Sequence, residues 1–199
     1  MPRTKQQNEE IKKVTTAHIK DVGLRLFAHK GLAATSIADI AGVAGISVGL
    51  MYHYYRSKEE LYNDLIATAI AESTEGLMRI AELDALPMEK VRLFTSQILD
   101  ETSSDDRTSL YFILMTQALL SSDLPKKAAD QLKNAYVSFD IMTSIIVAGQ
   151  KDGGFRQGDP AMLTTLFLSS INGLCTYKLI LGERFIAPEP EMLMTLLAV

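Results

Sequence analysis

Residues 35–61 read TSIADIAGVAGISVGLMYHYYRSKEEL, two short helical patterns divided by a glycine-bearing turn and followed at once by a new helix start. Thr35 or Ser36 is placed to cap a first helix whose inner face is Ile37, Ile40 and Ala41, and Asp39 stands where a capping-box partner of Ser36 belongs. Gly42 and Gly45 bracket Val43 and Ala44, which frees the backbone to reverse, and Ile46 is apolar enough to pin the corner into a core. Ser47 then caps a second short helix in which Val48, Met51 and Tyr55 are spaced for one face, while Gly49, Tyr52 and His53 fall on others. A helix, a tight turn and a second helix in this order form the arrangement that lays a helix in the major groove of duplex DNA.

Working outward, the first dozen residues, MPRTKQQNEEIK, are polar and carry no apolar stripe, so the sequence predicts a mobile arm over residues 1–12. A helix follows to about His29, with Ile19, Val22, Leu26 and Phe27 at helical spacing and Gly31 placed for a left-handed cap. Downstream, Ser57-Lys58-Glu59-Glu60 is a capping box opening a helix that turns Leu61, Leu65 and Ile66 inward. Beyond it only helical periodicity is found. Breaks fall at residues 85–87, 103–106, 121–125, 152–160 and 186–190, which leaves room for five or six helices. The expected fold is all-α: an N-terminal three-helix unit over residues 13–60 joined to a larger helical bundle over residues 61–199.

Composition narrows the function. A chain of 199 residues with 47% hydrophobic content can bury a sizeable core. Its one cysteine, Cys175, excludes an internal disulfide framework, fits a reducing compartment, and reads as a small buried hydrophobe. With neither an export signal nor an apolar run of about 20 residues, the expectation is a cytoplasmic protein without membrane contact. His18, His29 and His53 lack ligand spacing, so no metal and no cofactor are expected. The net charge of -4 hides an asymmetry: residues 1–60 hold nine Lys or Arg against six Asp or Glu, and residues 61–199 hold eleven against eighteen. The basic end is the end with the helix-turn-helix pattern, and phosphates respond to the local field over a Debye length of about 10 Å rather than to net charge.

The Leu26-Phe27 pair with Gly31, Thr35 through Ile40-Ala41, Ala44-Gly45-Ile46-Ser47, Gly49 with Tyr52-His53-Tyr54-Tyr55, and Lys58 ahead of Leu61 together resemble the tetracycline-repressor (TetR) family of bacterial transcriptional regulators. The resemblance spans residues 15–62; beyond that only length and helical character match. It implies a dimeric DNA-binding repressor whose C-terminal domain binds a small molecule and then releases the operator. Carried over residue by residue, it implies that Thr35 and Ser36 hold a phosphate, that Ser47, Val48 and Gly49 sit deepest in the groove, and that Tyr52 and Tyr54 reach phosphates, with Tyr52 near a base. It further implies a DNA contact at His53 and a phosphate grip by Lys58, with Tyr55 seating the helix as core beside Val48 and Met51. The chain departs from the family at Leu50, where a hydroxyl residue is common, and at Gly23, where a better helix former is usual. The recognition helix holds no Arg, Asn, Gln or Lys, so base readout leans on Ser47, on Val48 against thymine methyls and on tyrosine, with shape and an arm bearing Arg3 and Lys5 supplying the rest.

In the second half, the expected effector-lining residues are Met78, Tyr111, Phe112, Met115, Phe139 and Met142, large and adaptable apolar side chains suited to an apolar or amphipathic small molecule. Two helices, about Asp130 to Gln150 and Asp159 to Gly182, are expected to pair with their mates in a homodimer through Ile145, Leu166, Ser170, Gly173 and Leu174. Two copies suit duplex DNA, since one short recognition helix reads too few base pairs. An enzyme is disfavoured by the lack of H-E-x-x-H, Glu-x-x-His pairs or a phosphate loop. The rival reading is a helical carrier or protein-interaction module with no salt-dependent DNA affinity.

Overall fold

Polar helix formers up to Lys13 give way to Ile19, Val22, Leu24 and Phe27, and the whole run is one helix, α1 (Lys5–Lys30), in the computed structural model, which describes residues 5–199. The helix reaches back into the segment expected as an arm. Every described side chain from Gln6 to Lys13 is exposed, as the composition requires, yet Gln, Glu and Lys propagate readily from a helix already nucleated by its buried half. Arg3 lies outside the described residues, and so does the side chain of Lys5. Gly31, at φ +78°, donates its N–H to the Phe27 carbonyl at 2.8 Å and ends α1 in the left-handed cap.

Helices α2 (Ile37–Val43) and α3 (Val48–Tyr54) follow, each opened by a serine. Asp39 N–H donates to Ser36 Oγ at 3.1 Å while the Asp39 carboxylate accepts from the Ser36 N–H at 2.9 Å, a complete capping box. Leu50 N–H donates to Ser47 Oγ at 3.1 Å. The chain turns through 104° between the two helices, with Gly45 at φ +66° in the corner and Ile46 half-buried beneath it. Ser57 caps α4 (Lys58–Ala81) by accepting from the Glu60 N–H at 3.2 Å, but the Glu60 carboxylate turns to the Arg56 N–H instead of closing a box. Gly23 is where α4 crosses α1: a Cβ there would lie 2.6 Å from Leu61 Cδ2, so the glycine that weakens the helix permits the close approach.

The remaining helices are α5 (Pro87–Ser104), α6 (Arg107–Leu120), α7 (Lys126–Leu132), α8 (Val137–Lys151), α9 (Pro160–Leu181) and α10 (Pro190–Met194), with a 3-10 turn at Gly182–Arg184. The expected breaks hold. One was missing: the helix expected from Asp130 to Gln150 is interrupted at residues 133–136, where no Gly or Pro marks a turn. The reason is tertiary, because Ala128 and Leu132 bury into one core while Met142, Ile145 and Ile146 bury into another.

Those two cores organise the molecule. The first joins α1, α2 and α3 to α4, α6 and α7, so the N-terminal three helices share buried neighbours with the bundle. The second gathers α5, α8, α9, α10 and the far end of α4. Among the described residues there is no β-strand; a single antiparallel bridge, Phe155 with Ala198, ties the C-terminus to the α8–α9 loop. No single helix among them is long and apolar enough to cross a membrane.

Candidate nucleic-acid interface and effector cavity

Seating of α3 depends on two residues: Met51 is fully buried, and Tyr55, just past the helix, is 6% exposed. With that face down, Ser47, Val48, Gly49, Leu50, Tyr52 and His53 all point to solvent, Tyr52 at 53% exposure, and Val43 of α2 stands out beside them. Val48 therefore joins the outward surface and not the seat. A Cβ on Gly49 would meet nothing nearer than Ser47 Oγ at 4.0 Å, so this position is open. Tyr54 is half-buried against the first core.

A network absent from the sequence reading holds the seat. Tyr55 donates its hydroxyl to Asp64 Oδ2 at 2.7 Å, and Lys20 of α1 pairs with the same oxygen at 3.2 Å while donating to Thr68 Oγ1 at 3.0 Å. Burial, then the Asp64 hydrogen bond, push the Tyr55 phenol well above its ordinary value, so it remains an O–H donor at every working pH. Asp64 and Thr68 lie one helical turn apart, a spacing too common to have signalled this. Replacing Tyr55 with Phe removes a hydrogen bond to a charged acceptor that stays partly solvated, and is expected to cost about 1.5 kcal/mol in thermal or urea unfolding.

Three expected phosphate contacts take other roles. Thr35 is 1% exposed, and its hydroxyl donates to the Gly31 carbonyl at 2.8 Å, so its side chain has nothing to offer a phosphate. Ser36 is exposed, but its hydroxyl is bound to Asp39 at 2.6 Å, and this hydroxyl with the Ser36 N–H holds the Asp39 carboxyl below its ordinary value of 3.8. An ionised carboxylate thus already occupies the anion position at the start of α2. Lys58 donates to the carbonyls of Leu32 at 2.8 Å, Ala33 at 3.3 Å and Thr35 at 2.8 Å, which uses all three ammonium protons to close the α1–α2 corner. If Lys58 gripped a phosphate, Lys58→Met would flatten the slope of log affinity against log salt by about 0.9. Because it is committed to the protein, we expect an unchanged slope and a lower unfolding midpoint.

Among the expected effector residues, Tyr111, Phe112, Met115 and Phe139 do line one cavity of about 300 Å³ between α4, α5, α6, α8 and α9. Met78 lies 46% exposed on the surface and Met142 is fully buried in the second core, so neither contributes: their helical phase points them elsewhere. Sequence reading missed Ser73, Thr116, Ser138 and Asn172, polar members of the lining. Of the expected interface residues, Ile145 is packed into the second core of its own chain and Leu174 leans on that core. Leu166, Ser170 and Gly173 instead belong to an outward seam of α9 that continues through exposed Met162, Tyr177 and Ile180. These six positions step by four, four, three, four and three residues, the spacing of a helix-packing seam. Among the described residues no three His, Cys, Asp or Glu side chains gather to hold a metal ion.

Residues 19–65 match the model of the family described as bacterial regulatory proteins, tetR family. Over 111 residues the chain is 31% identical to the HTH-type transcriptional regulator AcrR of Shigella flexneri, covering 54% of this chain and 49% of that one. The chain thus spans about half the length of the curated relative it matches there. Among solved structures, the MbdR regulator of Azoarcus sp. CIB superposes with a TM-score of 0.77 at 20% identity, covering 91% of this chain and 95% of that one. A SmeT–triclosan complex superposes at 0.69 and 18% identity, covering 94% and 92%. At these identities the two structures speak for the shared fold.

Proposed function

Since the chain belongs to the tetR family of bacterial regulatory proteins, we propose that it is a sequence-specific transcriptional regulator, a homodimeric repressor that leaves its operator when a small molecule binds. The observation that carries this reading is the outward face of α3, where Ser47, Val48, Gly49, Tyr52 and His53 are presented together while Met51 and Tyr55 hold the helix down. Ser47, Val48, Gly49 and Tyr52 face base edges on this reading, and His53 and Tyr54 flank them toward phosphates. With no Arg, Asn, Gln or Lys in α3, direct readout is modest and groove shape carries part of the specificity.

Pairing through the α9 seam presents two copies of α3, which doubles a contact too small to specify a site alone. The effector occupies the cavity between α4, α5, α6, α8 and α9; SmeT, a protein of similar fold, forms a complex with triclosan. Coupling runs along α4, whose Ala69, Ser73 and Leu77 line the cavity and whose Asp64 holds Tyr55 under α3. A second tie is Gln117 of α6, which donates to the Ala28 carbonyl of α1 at 2.9 Å next to the cavity residue Thr116. A shift of α4 on ligand binding therefore changes the seat of α3 and the spacing between its two copies. On this reading residues 13–60 are the DNA-binding unit and residues 61–199 the effector and dimer domain.

Fluorescence anisotropy with labelled duplex from upstream of the protein's own gene tests the reading. We expect tight binding at low salt that weakens steeply toward moderate salt, and weaker binding to a scrambled duplex. Equal affinity for both duplexes, or none for either, would contradict it.

A further inference from the structure

We propose that the effector is an uncharged molecule with an apolar, ring-bearing body and one hydroxyl-type group, and that Asn172 is the residue that selects it. This rests on the effector reading above and gives that site a ligand class. The cavity measures about 300 Å³, at the small end for ligand sites, which suits a body of two fused rings with a short substituent. Its walls are rings and aliphatic groups, chiefly Phe94, Phe112, Phe139, Met115 and Leu168. No Asp, Glu, Lys, Arg or His lines it. A charged ligand would leave water without a counter-charge, and that desolvation weighs against it heavily.

The polar atoms narrow the class further. Thr116 already donates its hydroxyl to the Phe112 carbonyl at 2.8 Å, and Ser73 donates to the Ile70 carbonyl at 3.2 Å. Ser138 Oγ lies 3.4 Å from Thr74 Oγ1, a partner outside the lining. Tyr111 contributes its ring, over which the Arg107 guanidinium, itself outside the lining, sits at 5.6 Å from the centroid. The hydroxyl protons of Thr116 and Ser73 are thus directed back into the protein, which leaves the lining short of donors for an anion. Asn172 is the exception. One of its N–H groups donates to Thr116 Oγ1 at 3.3 Å, while its Oδ1 and second N–H have no protein partner among the described residues. An acceptor and a donor side by side on an otherwise apolar wall match a group that both donates and accepts, as a hydroxyl does.

Four probes on one skeleton, substituted at the same ring position, separate the classes: naphthalenemethanol, methylnaphthalene, naphthoate and naphthylmethylammonium. Calorimetry on the full chain without DNA reads their affinities. Naphthalenemethanol is expected to bind roughly five- to tenfold tighter than methylnaphthalene, the factor of one net hydrogen bond, and both charged probes at least tenfold weaker than methylnaphthalene. Asn172→Leu is expected to abolish the hydroxyl advantage while keeping methylnaphthalene binding. The isosteric Asn172→Asp is expected to admit the ammonium probe at least tenfold better than the unaltered chain does, which guards against a variant that merely misfolds. A charged probe binding the unaltered chain best, a hydroxyl advantage surviving Asn172→Leu, or no binding of any probe would each overturn the proposal. Operator release is read separately by anisotropy: binding in this order with operator affinity unchanged supports the ligand class and counts against the regulatory reading, whereas duplex binding without the predicted order overturns the ligand class alone.

Discussion

Gly49→Asp is expected to lower operator affinity at least a hundredfold while leaving the fold intact. Gly49 sits at the second position of α3, exposed, with open space where a Cβ would stand. An aspartate there gains from the helix dipole, and any residue gains over glycine in a helix, so the unfolding midpoint is expected to stay level or rise. On the proposed reading the same carboxylate would be brought against base edges and phosphates, with no Lys or Arg on α3 to offset it. Like charges so placed cost several kcal/mol, and a hundredfold loss corresponds to about 3 kcal/mol. Anisotropy against the operator together with a thermal melt decides it. An altered melt with proportional loss of binding would mean damage to the fold, and unchanged affinity would move the DNA contact away from α3.

The largest effect on stability is expected at the joint between α8 and the C-terminal tail. Phe155 is fully buried and its ring lies directly on Gly149, where a Cβ would collide with Phe155 Cδ2. Next to it, Arg156 donates its backbone N–H to the Leu197 carbonyl at 2.8 Å and its guanidinium to the Thr195 carbonyl at 2.6 Å, so the ring and the tail are held as one unit. Phe155→Ala is expected to cost about 3–5 kcal/mol. Gly149→Ala alone is expected to cost about 1–3 kcal/mol, because the ring is fully enclosed and has to shift. In the Phe155→Ala background the same change becomes neutral or stabilising, since the clash is gone and alanine is the better helix former. Urea denaturation of the four chains measures this cycle; additive losses would show that the two residues do not meet.

Local chemistry made most of the helix-turn-helix legible. Ser36 with Asp39, Ser47, Gly31 and Gly45 each act within a few residues of themselves, and each occupies the role its pattern predicts. The all-helical bundle was equally legible from Pro, Gly and Ser clusters at its breaks. What depended on distant partners was not. The turn at residues 133–136 exists because neighbouring segments face different cores, Lys58 is drawn to carbonyls 23–26 residues away in the chain, and Thr35 is buried beneath a corner its own position does not reveal. The same limit divided the cavity residues. Tyr111, Phe112, Met115 and Phe139 share it, but Met78 and Met142 differ from them only in helical phase against helices elsewhere in the chain. Asn172 carries no local signal of its own in α9; it becomes a cavity residue only because α6 and α8 fold against that face.

Everything proposed for the operator turns on two copies of α3 meeting one duplex. Hydroxyl-radical and methylation footprinting of the region upstream of the gene measures that directly. Two protected patches of related sequence are expected in major grooves on the same face of the duplex, separated by about one helical turn or a whole multiple of it. Both patches should fade together in the Gly49→Asp chain. A single unpaired patch, or protection that survives Gly49→Asp unchanged, would contradict the reading.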